Sequence, residues 1–167
     1  MENNYYKTVL ASALFVLGYN ATGFAQGEFI NNGAKIHVEA GTQLIIGDNS
    51  TGAVNFVNES GGSVENDGTI SVNGDWENND ASGVFSTSVG TVNLNGTSAQ
   101  TIQGTQKTNF YDVNLTGAQK TLDVNAQVDN NIDITSTSLD LSSNTLFVEN
   151  SAPTAITTSS GYIISET

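Results

Sequence analysis

The stretch GTVNLNGTSAQTIQGTQKTNFYDVNLTG, residues 90–117, carries the tripeptide Val-Asn-Leu twice, at 92–94 and again at 113–115. Each copy alternates apolar, polar, apolar and runs into a turn, Asn-Gly-Thr in the first case and Thr-Gly-Ala in the second. Alternation of period two marks a short strand with one buried face and one wet face. The same strand returning after 21 residues has the spacing of a coil stacked on a coil. The two copies then lie one above the other, ~4.8 Å apart. Asn93 over Asn114 forms an outward amide ladder.

Working outward, related triplets start at Ile36, Val54, Ile70, Leu122, Ile132 and Leu139, with fully apolar relatives at Leu44 and Leu146. Starts at 36, 54, 70, 92 and 113 suggest one column, with 44, 122 and 139 on other faces of the coil. Asn32-Gly33, Asp67-Gly68, Asn73-Gly74 and Asn95-Gly96 lie between triplets and supply turns at positive φ. Such turns also suit antiparallel hairpins, so an antiparallel β-sandwich is the alternative. The coarse period favours an all-β, right-handed parallel β-helix of about seven rungs at about 20 residues each. End rungs of such a rod expose core and strand edges unless capped. Residues 27–34 are the candidate N-terminal cap, and the sequence closes on the apolar Tyr162-Ile163-Ile164. This reads as residues 26–167 forming a repeat region, the N-terminal part of a longer chain.

The composition bounds the function. Cysteine is absent, which excludes disulfides and thiolate metal sites. Seventeen acidic residues against four lysines give a net charge of −13, which repels nucleic acid and anionic lipid. Ahead of an apolar run from Thr8 to Gly18 stands Lys7, and Gly23 and Ala25 supply the small residues of a cleavage site. Residues 1–25 therefore read as a secretory signal peptide. The run is too short to cross a bilayer, which takes about 20 residues. No further hydrophobic segment follows to insert the mature chain in a membrane. A secreted or outer-surface location is expected.

The phrases at residues 90–104, 110–115 and 139–148, with the close Ser-Gly-Tyr-Ile-Ile-Ser-Glu, resemble the repeat regions of large secreted surface proteins of Bacteroidota. The resemblance covers about half of the chain, residues 84–166. It implies adhesin-like β-helical structure in cargo of type IX secretion, here without the C-terminal sorting domain. It implies no catalytic motif.

Direct reading of the residues agrees that an enzyme is not expected. Polysaccharide lyases of β-helical shape use a basic residue, often Arg, with calcium, and this chain has no Arg. Hydrolysis needs two carboxylates about 5–10 Å apart. Asp123, Asp129, Asp133 and Asp140 are the candidates, each expected to fill an outward strand position or a turn. His37, the single histidine, sits in the polar slot of Ile36-His37-Val38 and reads as a solvated strand residue. The oxygen-rich run from Asp75 to Asp80 makes Asp75, Glu77 and Asp80 the candidate calcium ligands. Trp76 within it is either a sugar-stacking ring or a core plug.

The expected function is a non-catalytic structural or adhesion module, with Asn/Thr/Ser ladders meeting glycans or other surface proteins by weak multivalent contact. A polysaccharide-binding or polysaccharide-cleaving β-helix is one alternative. An extracellular subunit that associates end to end is the other.

Overall fold

The computed structural model describes residues 27–50, 52–81 and 89–165. The expected signal peptide, residues 1–25, lies outside the described residues. The regular structure of the described residues is all strand. In chain order the first strands are β1 (Gly27–Asn31), β2 (Lys35–Val38), β3 (Gln43–Ile46), β4 (Val54–Asn58) and β5 (Ser63–Asn66). Then come β6 (Thr69–Val72), β7 (Trp76–Asn78), β8 (Thr91–Leu94), β9 (Gln100–Gly104) and β10 (Thr108–Leu115). The last are β11 (Lys120–Leu122), β12 (Ala126–Ile134), β13 (Ser138–Asp140), β14 (Leu146–Val148), β15 (Ile156–Thr158) and β16 (Tyr162–Ile164).

Every pairing between these strands is parallel. The antiparallel bridge between Asp48 and Gly52 is isolated within a loop. That pattern disfavours the sandwich, since parallel neighbours cannot be joined by a two-residue hairpin. The chain winds as a β-solenoid of about five turns. Coil length varies: Asn31 contacts Asn58 27 residues on and Glu77 contacts Gln103 26 residues on, whereas Asn58 contacts Asn78 after 20.

The first sheet runs β1-β4-β7-β9-β11-β13-β16. The second runs β3-β6-β8, then the second halves of β10 and β12, then β15. A third face holds the pair β2-β5 and, further along, the first halves of β10 and β12 with β14. Strands β10 and β12 pass from the third face to the second without a break, through a bulge that sets Asp129 and Asn130 opposite Tyr111.

The opening repeat stacks as its spacing predicts: Val92, Asn93 and Leu94 pair with Val113, Asn114 and Leu115. The rest of the column differs from the expectation. Leu44, Ile70, Val92, Val113, Ile132 and Ile156 share the second sheet, whereas Ile36 is on the third face and Val54 on the first. All the triplets alternate alike, so alternation alone does not say which face each one joins. Within the candidate cap, residues 27–34, β1 is a regular strand at the edge of the first sheet, paired with β4.

The interior is layered. Phe29, Phe56 and Trp76 stack at centroid separations of 6.1 and 4.4 Å, and Phe110 packs on Trp76 at 5.4 Å. Beside the rings runs a buried amide ladder. Asn31 Nδ2 donates to Asn58 Oδ1 at 2.8 Å, and Asn58 Nδ2 donates to Asn78 Oδ1 at 3.3 Å. Asn58 also donates to Gly62 O, and Asn78 to Lys107 O, so each buried amide binds backbone at a coil corner. This satisfies carbonyls that a tight coil turns inward.

At three of the four expected Asn-Gly and Asp-Gly turns, glycine serves close approach and not turn chirality. Of Gly33, Gly68, Gly74 and Gly96, only Gly33 has a positive φ, at 79°. A Cβ on Gly74 would lie 2.5 Å from Val54 O, and one on Gly96 2.3 Å from Asn73 O.

Candidate functional site

Beyond the exposed Ile45 of β3, the second sheet turns polar side chains outward. Its inward residues, such as Ile70, Val72, Val92, Leu94, Val113 and Leu115, are buried, and the alternate residues between them point out. Asn114 Nδ2 donates to Asn93 Oδ1 at 3.0 Å, and Asn93 Nδ2 donates to Ser71 Oγ at 3.2 Å. Asp133 takes the next place and accepts from Thr135 Oγ1 at 2.6 Å. The ladder is bonded along the solenoid axis and open to solvent on its outer side.

A groove of about 630 Å³ follows the corner between the second and first sheets. Its lining includes Asn49, Ser50, Asn73, Asp75, Thr97 and Thr101. Asn49 reaches over an intervening coil, donating to Asn95 O and accepting from Thr97 N–H, both at 3.3 Å. Asp75 is the one carboxylate among the described lining residues, and its Oδ1 accepts from Thr101 N–H at 2.7 Å. Amides, hydroxyls and backbone groups make up most of this lining. A single carboxylate lacks the partner that two-carboxylate hydrolysis requires.

The segment expected to be a calcium-binding turn is strand β7 with its flanks, where alternation leaves Asp75 and Glu77 on the outer side and turns Asp80 inward. Glu77 accepts from Gln103 Nε2 at 3.0 Å and Asn79 Nδ2 at 2.8 Å on the first sheet. Asp80 is buried and accepts from Gly61 N–H at 2.6 Å. Asp75 lies in the corner groove. The structure therefore does not bring Asp75, Glu77 and Asp80 together. Trp76 is fully buried and donates its indole N–H to Thr108 Oγ1 at 3.0 Å, so it is the core plug.

The candidate hydrolytic acids are dispersed as well. Asp133 belongs to the second sheet, Asp140 to β13 of the first, and Asp129 to the bulge, where it accepts from Gln127. Asp123 follows β11, its N–H bonded to Ile102 O.

Two features escape the sequence reading. His37, Glu65 and Asp67 converge, one ligand atom from each lying within 4.8 Å of the others. The coil length hides this, since Glu65 meets His37 only when β2 stacks on β5. Lys120 is fully buried, its Nζ donating to Thr116 O at 2.8 Å and Ala118 O at 2.6 Å. Burial pulls its pKa down to about 8. Lys120 pairs in register with Gln100, which donates to Val72 O and Gly74 O. Both side chains thus fold inward to bind corner carbonyls. Alternation puts Lys120 on the same inward face as Leu122, and the lysine's charge is what masks that placement in the sequence.

Comparison with protein-family models, with curated proteins and with solved structures yields no match.

Proposed function

We propose that the chain is a structural or adhesive module of a secreted or cell-surface protein, without catalytic activity, wound as a right-handed β-helix. The observation that carries this reading is the Ser71–Asn93–Asn114 ladder, a repetitive hydrogen-bonding face along an open sheet. Such a face meets glycans or other surface proteins through many weak contacts, which gain strength when modules are arrayed. The leader-like residues 1–25 and the resemblance to Bacteroidota surface repeats support export. The charge of −13 disfavours nucleic-acid partners.

The test is a glycan array probed twice, with the monomeric chain and with the chain displayed densely on beads. The expected result is weak capture of the monomer and retention of the beads on the same neutral glycans. Release of reducing ends or unsaturated sugars from any arrayed polysaccharide would overturn the non-catalytic reading.

A second reading rests on the corner groove, which suits one stretch of a neutral polysaccharide lying across Asn49, Asn73 and Thr97. Under it, Asn73 and Thr97 substitutions abolish capture and Asn93 substitutions leave it unchanged.

A further inference from the structure

We propose that His37, Glu65 and Asp67 bind a divalent transition-metal ion of the zinc class, stapling the first coil to the second. The parallel register sets His37 beside Glu65, and the alternation of β2 and β5 turns both side chains outward from the buried Val38 and Val64. Asp67 begins the turn after β5. Its N–H and that of Gly68 both donate to Val38 O, at 2.8 and 3.1 Å, which ties the turn to the residue following His37.

The donor atoms already face one another. His37 Nε2 lies 3.8 Å from Asp67 Oδ2. The other oxygen, Oδ1, accepts from Val89 N–H at 3.4 Å, which turns Oδ2 toward the imidazole. Glu65 binds Lys35 through Oε2 at 2.5 Å, leaving Oε1 for a second partner. Bonds of ~2.0–2.2 Å to a tetrahedral ion place donors roughly 3.3–3.6 Å apart. The three side chains reach that spacing by movements of about 1 Å, within the freedom of partly exposed rotamers. Water completes the shell.

The donor set selects the ion. An imidazole nitrogen favours zinc, cobalt or nickel over calcium, which takes oxygen ligands in larger number. The charge of −13 raises the local concentration of any cation. Ligands from β2 and from β5 with its turn belong to successive coils, so the ion cross-links the two paired strands.

The test uses the untagged full chain. With one histidine present, the imidazole NMR signals report on His37 alone. Zinc is expected to shift them at one ion per chain, and cobalt to develop visible ligand-field bands that zinc bleaches. His37→Gln should weaken cobalt binding at least tenfold, Glu65→Gln and Asp67→Asn should weaken it similarly, and excess calcium should displace nothing. Zinc should raise the melting temperature of the parent chain and leave that of His37→Gln unchanged. Imidazole signals that ignore millimolar zinc would overturn the proposal without recourse to any variant. Cobalt bound equally by His37→Gln would overturn it too, assigning the ion to scattered surface carboxylates.

Discussion

Asn114 donates its side-chain amide to Asn93 at 3.0 Å across one coil, between two residues that occupy the same place in a repeated tripeptide. The bond is half-exposed, so water competes for it. Asn114→Ala should destabilise the chain by about 1 kcal/mol. Because each single change removes the same Asn114–Asn93 bond, the double variant Asn93→Ala, Asn114→Ala should cost less than the sum of the single changes. Urea unfolding with hydrogen exchange across β6, β8 and β10 measures both.

The buried ladder carries more. Asn58 accepts from Asn31 and donates to Asn78 and Gly62 O inside the solenoid, where water cannot replace a lost partner. Asn58→Ala should cost about 3 kcal/mol, several times the effect of Asn114→Ala. Equal effects in urea titrations of the two variants would mean that the inner ladder is hydrated.

Trp76 is the single tryptophan, and its ring lies between Phe56 and Phe110. Its emission should be blue-shifted in the folded chain and move to the red on unfolding. Trp76→Ala should cost ~3–5 kcal/mol through the cavity it opens. Trp76→Phe should cost roughly 1–3 kcal/mol, since it keeps a ring but leaves the buried Thr108 hydroxyl without its donor.

Lys120 makes stability depend on alkaline pH. Its folded pKa is about 8, whereas an unfolded lysine titrates near ~10.4. Between those values the unfolded chain binds more protons, so stability should rise with pH across that window. Below about 8 both states are protonated and the full penalty of burying the ammonium stands. The urea midpoint should therefore climb from pH 8 toward pH 10. Lys120→Gln, with the side chain that its neighbour Gln100 carries, should remove that climb.

Gly96 and Gly41 should respond differently to a methyl group. A Cβ on Gly96 meets Asn73 O at 2.3 Å, so backbone must move, and Gly96→Ala should cost about 3 kcal/mol. Gly41 has φ of 79° but open space around it. Gly41→Ala should cost about 1 kcal/mol, the strain of the left-handed backbone alone. Thermal melts of the two variants make the comparison.

The stacking of residues 92–94 on 113–115 was legible because identical alternating tripeptides, each running into a turn, fit the same place in successive coils. Coil length was less legible. Residues inserted between strands, as at 47–50, lengthen a coil without disturbing its ladders, and the chain spends 27 residues between Asn31 and Asn58 but 20 between Asn58 and Asn78. Face assignment failed at Ile36 and Val54 for the same reason. The acidic run at 75–80 looked like a turn because polar residues outnumber apolar ones there. Two of them, Asn78 and Asp80, are in fact buried, serving the corner hydrogen bonds that a solenoid interior needs. His37 looked solitary because its neighbours Glu65 and Asp67 belong to the next coil.

Cysteine pairs test the in-register parallel stack most directly, because the chain contains no native cysteine. Asn93→Cys with Asn114→Cys places two thiols on adjacent strands ~4.8 Å apart, inside the 4.4–6.8 Å Cα range of disulfides, roughly. Asn93→Cys with Asp133→Cys places them two strands apart, roughly 9.6 Å. Mild oxidation of dilute monomer should link the first pair within the chain and leave the second pair free. Linkage of the second pair as readily as the first, or of neither, would contradict the stacked solenoid.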